Sequence, residues 1–237
     1  GYKGTRFAGF QIQDNAQTIQ GEVERAASVY LRSPISLTGS SRTDAGVHAM
    51  LNYFHFQSER LLGEDFIYHV NAILPREIVL KGIYKVPEGS HSRFDAVARR
   101  YKYHIYKQKD PFKDDRAWYY PFPMDEAKLN STASSILGEH DFTSFAKKRT
   151  QVYTHICRID QCYWEHNAEG WMFTIEGNRF LRGMVRALVA TMVRVGRGNI
   201  DINEFEKIRT AMDSKLADFS APAHGLHLDR VIFDENL

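Results

Sequence analysis

The chain lacks most of the features that would tie it to a membrane, a metal or an oxidising compartment. It has only two cysteines, Cys157 and Cys162. In a strand that odd separation puts two side chains on opposite faces, so no bond between them is expected. Two isolated thiols fit a reducing cytoplasm. There is no Cys-x-x-Cys pair and no His-Glu-x-x-His, so no metal site is expected. No apolar run approaches the roughly 20 residues of a membrane span. No signal-peptide pattern is present. The chain opens abruptly on Gly1-Tyr2-Lys3-Gly4, and the expectation is that its natural start lies upstream.

What is there fits an ordinary soluble globular protein. The 237 residues are 43% hydrophobic and 25% charged, enough for one large or two modest domains. The net charge of +2 hides local excesses. Arg93 to Lys109 holds Arg93, Arg99, Arg100, Lys102, Lys107 and Lys109 against the single acid Asp95. Asn178 to Arg197 holds Arg179, Arg182, Arg186, Arg194 and Arg197 and no acid. Lys147-Lys148-Arg149 is a third cluster. Such runs can be solvated faces. Interleaved with Tyr101, Tyr103 and Phe180, they read as a nucleic-acid surface.

Periodicity and punctuation divide the chain. Thr18 is an N-cap, followed by Ile19, Val23, Ala26, Ala27 and Tyr30 at helical spacing, with Pro34 as the stop. Ile35–Leu37 and Asn52–Gln57 read as strands, Glu64–Leu74 as a helix, and Ile78 to Val86 as a strand. Pro87-Glu88-Gly89-Ser90 marks a boundary between residues 1–90 and 91–237. Val97 to Lys107 is a long strand with Arg99, Tyr101, Tyr103 and Ile105 on one face. A helix over Asp125–Leu137 closes at Gly138. Strands over Thr154–His166 and Trp171–Gly177 flank an Asn167-Ala168-Glu169-Gly170 turn. Phe180–Val195 is a helix, buried along Leu181, Met184, Val185, Leu188, Met192 and Val195. On it Arg179, Arg182 and Arg186 share a face. A short helix over Asn203–Met212 and a strand at Val231–Phe233 follow. Helix–strand order, twice over, predicts an α+β fold.

Chemistry concentrates between Thr38 and Ala49. An apolar lead-in and an alternating lead-out bracket small and hydroxylated residues, Arg42 and Asp44. Gly39 and Gly46 permit a tight loop. Asp44 is the only acid between Thr38 and Gln57. A neighbouring arginine favours the ionised carboxylate, and an anion on an open loop can serve as a nucleophile. An aspartate in such a loop more often caps its own backbone. The whole string decides between these readings. Arg42-Thr43-Asp44-Ala45-Gly46-Val47-His48-Ala49 resembles the catalytic motif of the tRNA pseudouridine synthase A family, whose aspartate is the nucleophile.

Further motifs extend the resemblance in order. Tyr2-Lys3-Gly4 and Phe7-Ala8-Gly9-Phe10-Gln11 are similar to the family's opening, with Lys3 and Phe10 in place of Asp and Trp. Arg99-Arg100-Tyr101-Lys102-Tyr103 is similar to the motif of the active-site tyrosine, matched by Tyr101; Tyr103 reads as structural. Glu139-His140-Asp141-Phe142-Thr143-Ser144-Phe145 resembles another motif. Phe180-Leu181-Arg182-Gly183-Met184-Val185-Arg186 resembles the motif whose last arginine enters the site, here Arg186. Ala221-Pro222-Ala223-His224-Gly225-Leu226 resembles the closing motif. Ser41 stands where the family usually has Gly, and Val189-Ala190-Thr191 replaces a Gly-containing turn.

The resemblance implies two split-βαβ halves joined in one antiparallel sheet, with an active-site cleft between them. It implies uridine isomerised to pseudouridine in the anticodon arm of tRNA, at positions 38–40, without a cofactor or a metal. Asp44, Tyr101 and Arg186 are the expected catalytic set; Arg42, Arg100, Lys148, Arg179 and Arg182, with Tyr101, are the expected RNA contacts. A cytoplasmic homodimer without membrane attachment is implied. Whether Asp44 attacks C1′ of the ribose or C6 of the base stays open. Two alternatives are an RNA-binding protein without activity and a hydrolase; the second needs another carboxylic acid, which no motif supplies.

Overall fold

The structure, a computed structural model, describes residues 1–148 and 152–234. The fold is α+β, with five α-helices among the described residues. The chain forms two compact units, Gly1–Val97 with the chain from Leu228 onward, and Ala98–His227. The turn at Pro87–Ser90 lies within the first unit, closed by Ser90 N–H to Pro87 O at 3.2 Å.

In the first unit, α1 (Ile19–Leu31) begins as expected, with Thr18 Oγ1 accepting from the Gly21 N–H. Its buried stripe is Ile19, Val23, Ala26, Ala27 and Leu31. It packs against α2 (Glu64–Ile73), which buries Phe66 and Val70. Regular strand is scarcer than the sequence suggests. β1 is only Thr38–Gly39, paired antiparallel with β3, Phe54–His55. Ile35–Leu37 is not a strand, because α1 side chains take its backbone: Ser28 Oγ accepts from the Ile35 N–H, Glu24 Oε1 from the Leu37 N–H, and the Gln20 amide donates to the Leu37 C=O. Ile78 to Val86 forms no strand either. Ile78 makes one bridge to Tyr2, and both backbone groups of Leu80 bond to the Asn71 side chain instead of a ladder. β2 (His48–Ala49) pairs with β9 (Leu226–Phe233), where the Met50 N–H reaches the Leu228 C=O at 2.8 Å.

The second unit carries long antiparallel strands. β4 (Ala96–Tyr106) pairs with β8 (Gly170–Gly177), β8 with β7 (Ile156–His166), and β7 with β6 (Gly138–Asp141). A short β5 (Trp118–Tyr119) runs parallel to β4. The β7–β8 hairpin turns as expected, with Asn167 Oδ1 accepting from the Glu169 and Gly170 N–H groups. Cys157 and Cys162 do not lie on opposite faces. The β7–β8 register shifts between Ile159 and Gln161, and that bulge returns both thiols to the buried side, where they are free.

Three helices cover this sheet. α3 (Glu126–Ser134), capped by Asp125, packs on β7 and on α4. It ends three residues short of Leu137, as the hydroxyls of Ser134 and Ser135 take the carbonyls of Asn130 and Thr132. α4 spans Met184–Gly196, not Phe180–Val195. Gly183, at φ +75°, breaks the helical path ahead of it. Arg179 and Arg182 therefore precede the helix, and the shared helical face with Arg186 does not form. The expected buried face does form, and burial extends beyond it to nearly every residue of α4, including Val189, Ala190 and Thr191. The Thr191 hydroxyl donates to the Ala187 C=O and accepts from the Asp218 N–H. α5 (Ile202–Thr210), capped by Asp201, completes the layer. The Glu139–Phe145 motif is a core corner: Phe142 and Phe145 are fully buried, and Phe145 packs on Phe205.

Candidate active site

In the first unit the loop from Ser40 to Val47 has little regular structure, yet its backbone is tied at many points. Phe10 N–H donates to Thr43 O at 3.1 Å and Gly46 N–H to Phe7 O at 3.4 Å. Asn52 Nδ2 donates to Ser41 O at 3.1 Å, and the Ser40 hydroxyl donates to Asn52 Oδ1 at 2.8 Å. Val47 N–H returns to Asp44 O at 3.2 Å, closing a turn in which Gly46 holds φ +80°. That third turn position favours glycine.

The loop is splinted by the start of the chain. Tyr2 pairs with Ala49 through both backbone groups, and its hydroxyl lies 2.8 Å from Thr43 Oγ1 and 3.2 Å from Asn52 Nδ2. Burial pushes the Tyr2 phenol up to about 12, so it stays neutral and can bridge the two. Gly9, at φ +102°, lies so close to the loop that a Cβ there would be 2.8 Å from Thr43 O. Burial alternates along the loop: Ser41 and Thr43 are inside, Arg42 is exposed and Asp44 half-buried. Arg42 and Asp44 are thus more open to solvent than Ser41 and Thr43. Ser41, the departure from the family's Gly, keeps a buried Oγ with no hydrogen-bond partner among the described residues. Phe10, the other departure, is a core residue, 3% exposed and packed on Gly39.

In the second unit Tyr101 lies on β4 opposite Ile175 of β8. It is 9% exposed, and its ring meets Phe180 edge-on at 5.2 Å. Tyr103, on the same face, is fully buried, and its hydroxyl donates to Pro222 O at 2.8 Å. Burial raises the Tyr103 phenol far above its ordinary range, opposed in part by the Arg186 charge. Arg186, in the first turn of α4, is half-buried and donates from Nε to Ala221 O at 2.7 Å. The Ala221-Pro222 carbonyls thus fix both Arg186 and Tyr103, which gives the closing motif a physical role. Gly225 completes the clamp, since a Cβ there would meet the Tyr103 ring at 2.5 Å.

The basic residues differ in their surroundings. Arg182 and Lys148 are exposed. The Lys147 N–H donates to Arg182 O at 3.0 Å, and its aliphatic stem covers Gly183. Arg179 donates to Thr154 O at 3.2 Å. Arg100 forms an ion pair with Glu176 at 2.7 Å, so its charge is largely offset. Arg149 lies outside the described residues. No group of three His, Cys, Asp or Glu side chains that could hold a metal ion occurs among the described residues. No helix there is long and apolar enough to cross a membrane.

Comparison with known proteins agrees with these motifs. A profile of the family described as tRNA pseudouridine synthase matches residues 132–234. A tRNA pseudouridine synthase A of Parabacteroides distasonis is 40% identical, over 100% of this chain and 95% of the relative. That of Porphyromonas gingivalis is 39% identical, over 100% and 96%. One from Staphylococcus aureus is 35% identical, over 99% and 90%.

Proposed function

The chain belongs to the tRNA pseudouridine synthase A family, a family of isomerases, and from that premise we propose that it converts uridine to pseudouridine in tRNA, at positions 38–40 of the anticodon arm, with Asp44 as nucleophile. The reaction is balanced within the nucleoside. The N1–C1′ bond breaks, the uracil turns, C5 bonds to C1′, and the proton lost from C5 is matched by one gained at N1. No redox partner or group donor enters. A paired base must first leave the stack, which costs a few kcal/mol.

The observation that carries this reading is the Asp44 loop itself. Asp44 is half-buried, two residues along the chain from Arg42, on a backbone held by Tyr2, Gly9, Phe10 and Asn52. A nucleophile positioned by its surroundings loses little freedom on reaching the transition state. Tyr101 supplies the ring that stacks on the uracil, and Arg186, oriented by Ala221, the charge that organises the site. Arg42, Arg179, Arg182 and Lys148 hold phosphates, and Arg100 does so alongside Glu176. The enzyme acts as a cytoplasmic homodimer and needs neither cofactor nor metal.

Pseudouridine mapping of tRNA incubated with the purified protein tests the reading. The expected result is new pseudouridine confined to the anticodon arm. Free uracil among the products would favour a hydrolase. RNA binding without tritium release from C5-labelled uridine would leave only a binding protein.

A further inference from the structure

The first unit holds a cavity of about 340 Å³ that no step above uses. Phe10, Gln11, Arg42, His91, Arg93 and Phe94 are among its lining residues, and no lining side chain is acidic. Two guanidinium groups and no carboxylate exclude a cation as occupant and call for an anion. The aromatic rings call for something flat.

The wall of the cavity is built rather than loose. The His91 C=O accepts from the N–H groups of Phe94 and Asp95, at 3.1 and 3.0 Å. His91 Nδ1 accepts from those of Arg93 and Phe94, at 3.2 and 3.3 Å. The Asp95 carboxylate closes the turn on the His91 N–H at 2.6 Å. Ser92 ties the turn to β1 by donating to Thr38 O at 2.8 Å. The His91 ring lies over Phe94 at 4.2 Å, while Phe94 stays 76% exposed. Phe94 is thus fixed by its backbone and supported by His91, with most of its ring in water. Burying such a ring would stabilise the fold, so its exposure forgoes stability. The Arg93 guanidinium stands 5.9 Å from the centre of that ring.

We propose that this cavity binds one nucleotide of the RNA strand beside the target uridine, its phosphate held by Arg42 and Arg93 and its base stacked on the open face of Phe94. The inference rests on the RNA substrate proposed above. Arg42 stands two residues before Asp44, at most about 7 Å along the chain, so the occupant is a neighbour of the reacting nucleotide.

The test is equilibrium binding of tRNA to the full chain across a salt series, with kinetics on the same variants. One lost stacking contact weakens binding about 5- to 150-fold, expected for Phe94→Leu, while Phe94→Trp binds like the parent. Arg93→Gln flattens the slope of log affinity against log salt by about 0.7–0.9. Both losses fall on KM rather than kcat. Parent-like affinity in folded Phe94→Leu, or a parent-like slope in Arg93→Gln, overturns the proposal. Should a variant fail to melt cooperatively, ultraviolet crosslinking of tRNA to the parent protein decides. Adducts on His91 or Phe94 support the site, and adducts confined elsewhere overturn it. Binding is read without turnover, so a parent protein that makes no pseudouridine would defeat the proposed function separately from this one.

Discussion

Replacing Gly9 by alanine perturbs the proposed nucleophile through its backbone and leaves its carboxylate unaltered. Gly9 holds φ +102°, where an L side chain is strained. A left-handed conformation costs an ordinary residue about 1–2 kcal/mol. The new methyl would also stand 2.8 Å from Thr43 O, so reaching an ordinary contact of 3.4 Å requires a shift of about 0.6 Å. That carbonyl accepts from Phe10 N–H and immediately precedes Asp44, so the loop moves with it. A misplacement of about 1 Å can cost about 10²-fold in rate, so a loss of roughly tenfold in single-turnover rate is expected, with tRNA affinity retained. For a chain of this size the strain lowers Tm by about 2–8 °C. Gly89→Ala is the control. Gly89 also has positive φ, at +89°, but a Cβ there meets nothing within 4 Å. It should lose comparable stability and keep its rate. Equal rates for Gly9→Ala and Gly89→Ala would refute the idea that the chain start positions the Asp44 loop.

Asp44→Asn keeps the shape and turn preference of the side chain but leaves a much weaker nucleophile, so pseudouridine formation should vanish while the melting curve and tRNA affinity hold; conversion above a trace by folded protein would remove Asp44 from its role. Tyr101→Phe should slow turnover by about 10²–10⁴-fold if its hydroxyl moves a proton, and near-parent rates would leave only stacking. Tyr103→Phe instead strands the Pro222 carbonyl, lowering stability by about 1–3 kcal/mol without a matching catalytic loss; urea melts and single-turnover assays separate the two tyrosines. Arg186→Met likewise strands the Ala221 carbonyl, and should lower kcat more than affinity while melting earlier; parent-like kcat would reduce Arg186 to a structural bond.

The sequence was most legible where one local signal decides. Thr18 caps its helix through its own side chain, and the Asn167 turn is closed by one amide oxygen. It was least legible where a distant side chain competes for backbone. Glu24, Gln20 and Asn71 take donors and acceptors that a strand reading assigns to a ladder. The bulge in β7 shifts a face by one position, and the break at Gly183 takes Arg179 and Arg182 off the helix, neither of which periodicity alone shows. The Asp44 motif was legible only as a string. Its supports, the Tyr2 hydroxyl, Gly9 and the Asn52 amide, lie outside that string, and no spacing rule connects them to it.

The side chains of α1 that hold Ile35 to Leu37 have a consequence for the opening of the molecule. These amides are guarded by a helix rather than by a neighbouring strand. Their exchange with deuterated solvent should follow the loosening of α1, not the fraying of β1. The approach to the Asp44 loop and α1 then form one cooperative unit, lost and regained together. A solvent-facing substitution in α1, far from Asp44, would in this way change how often the Asp44 loop comes undone.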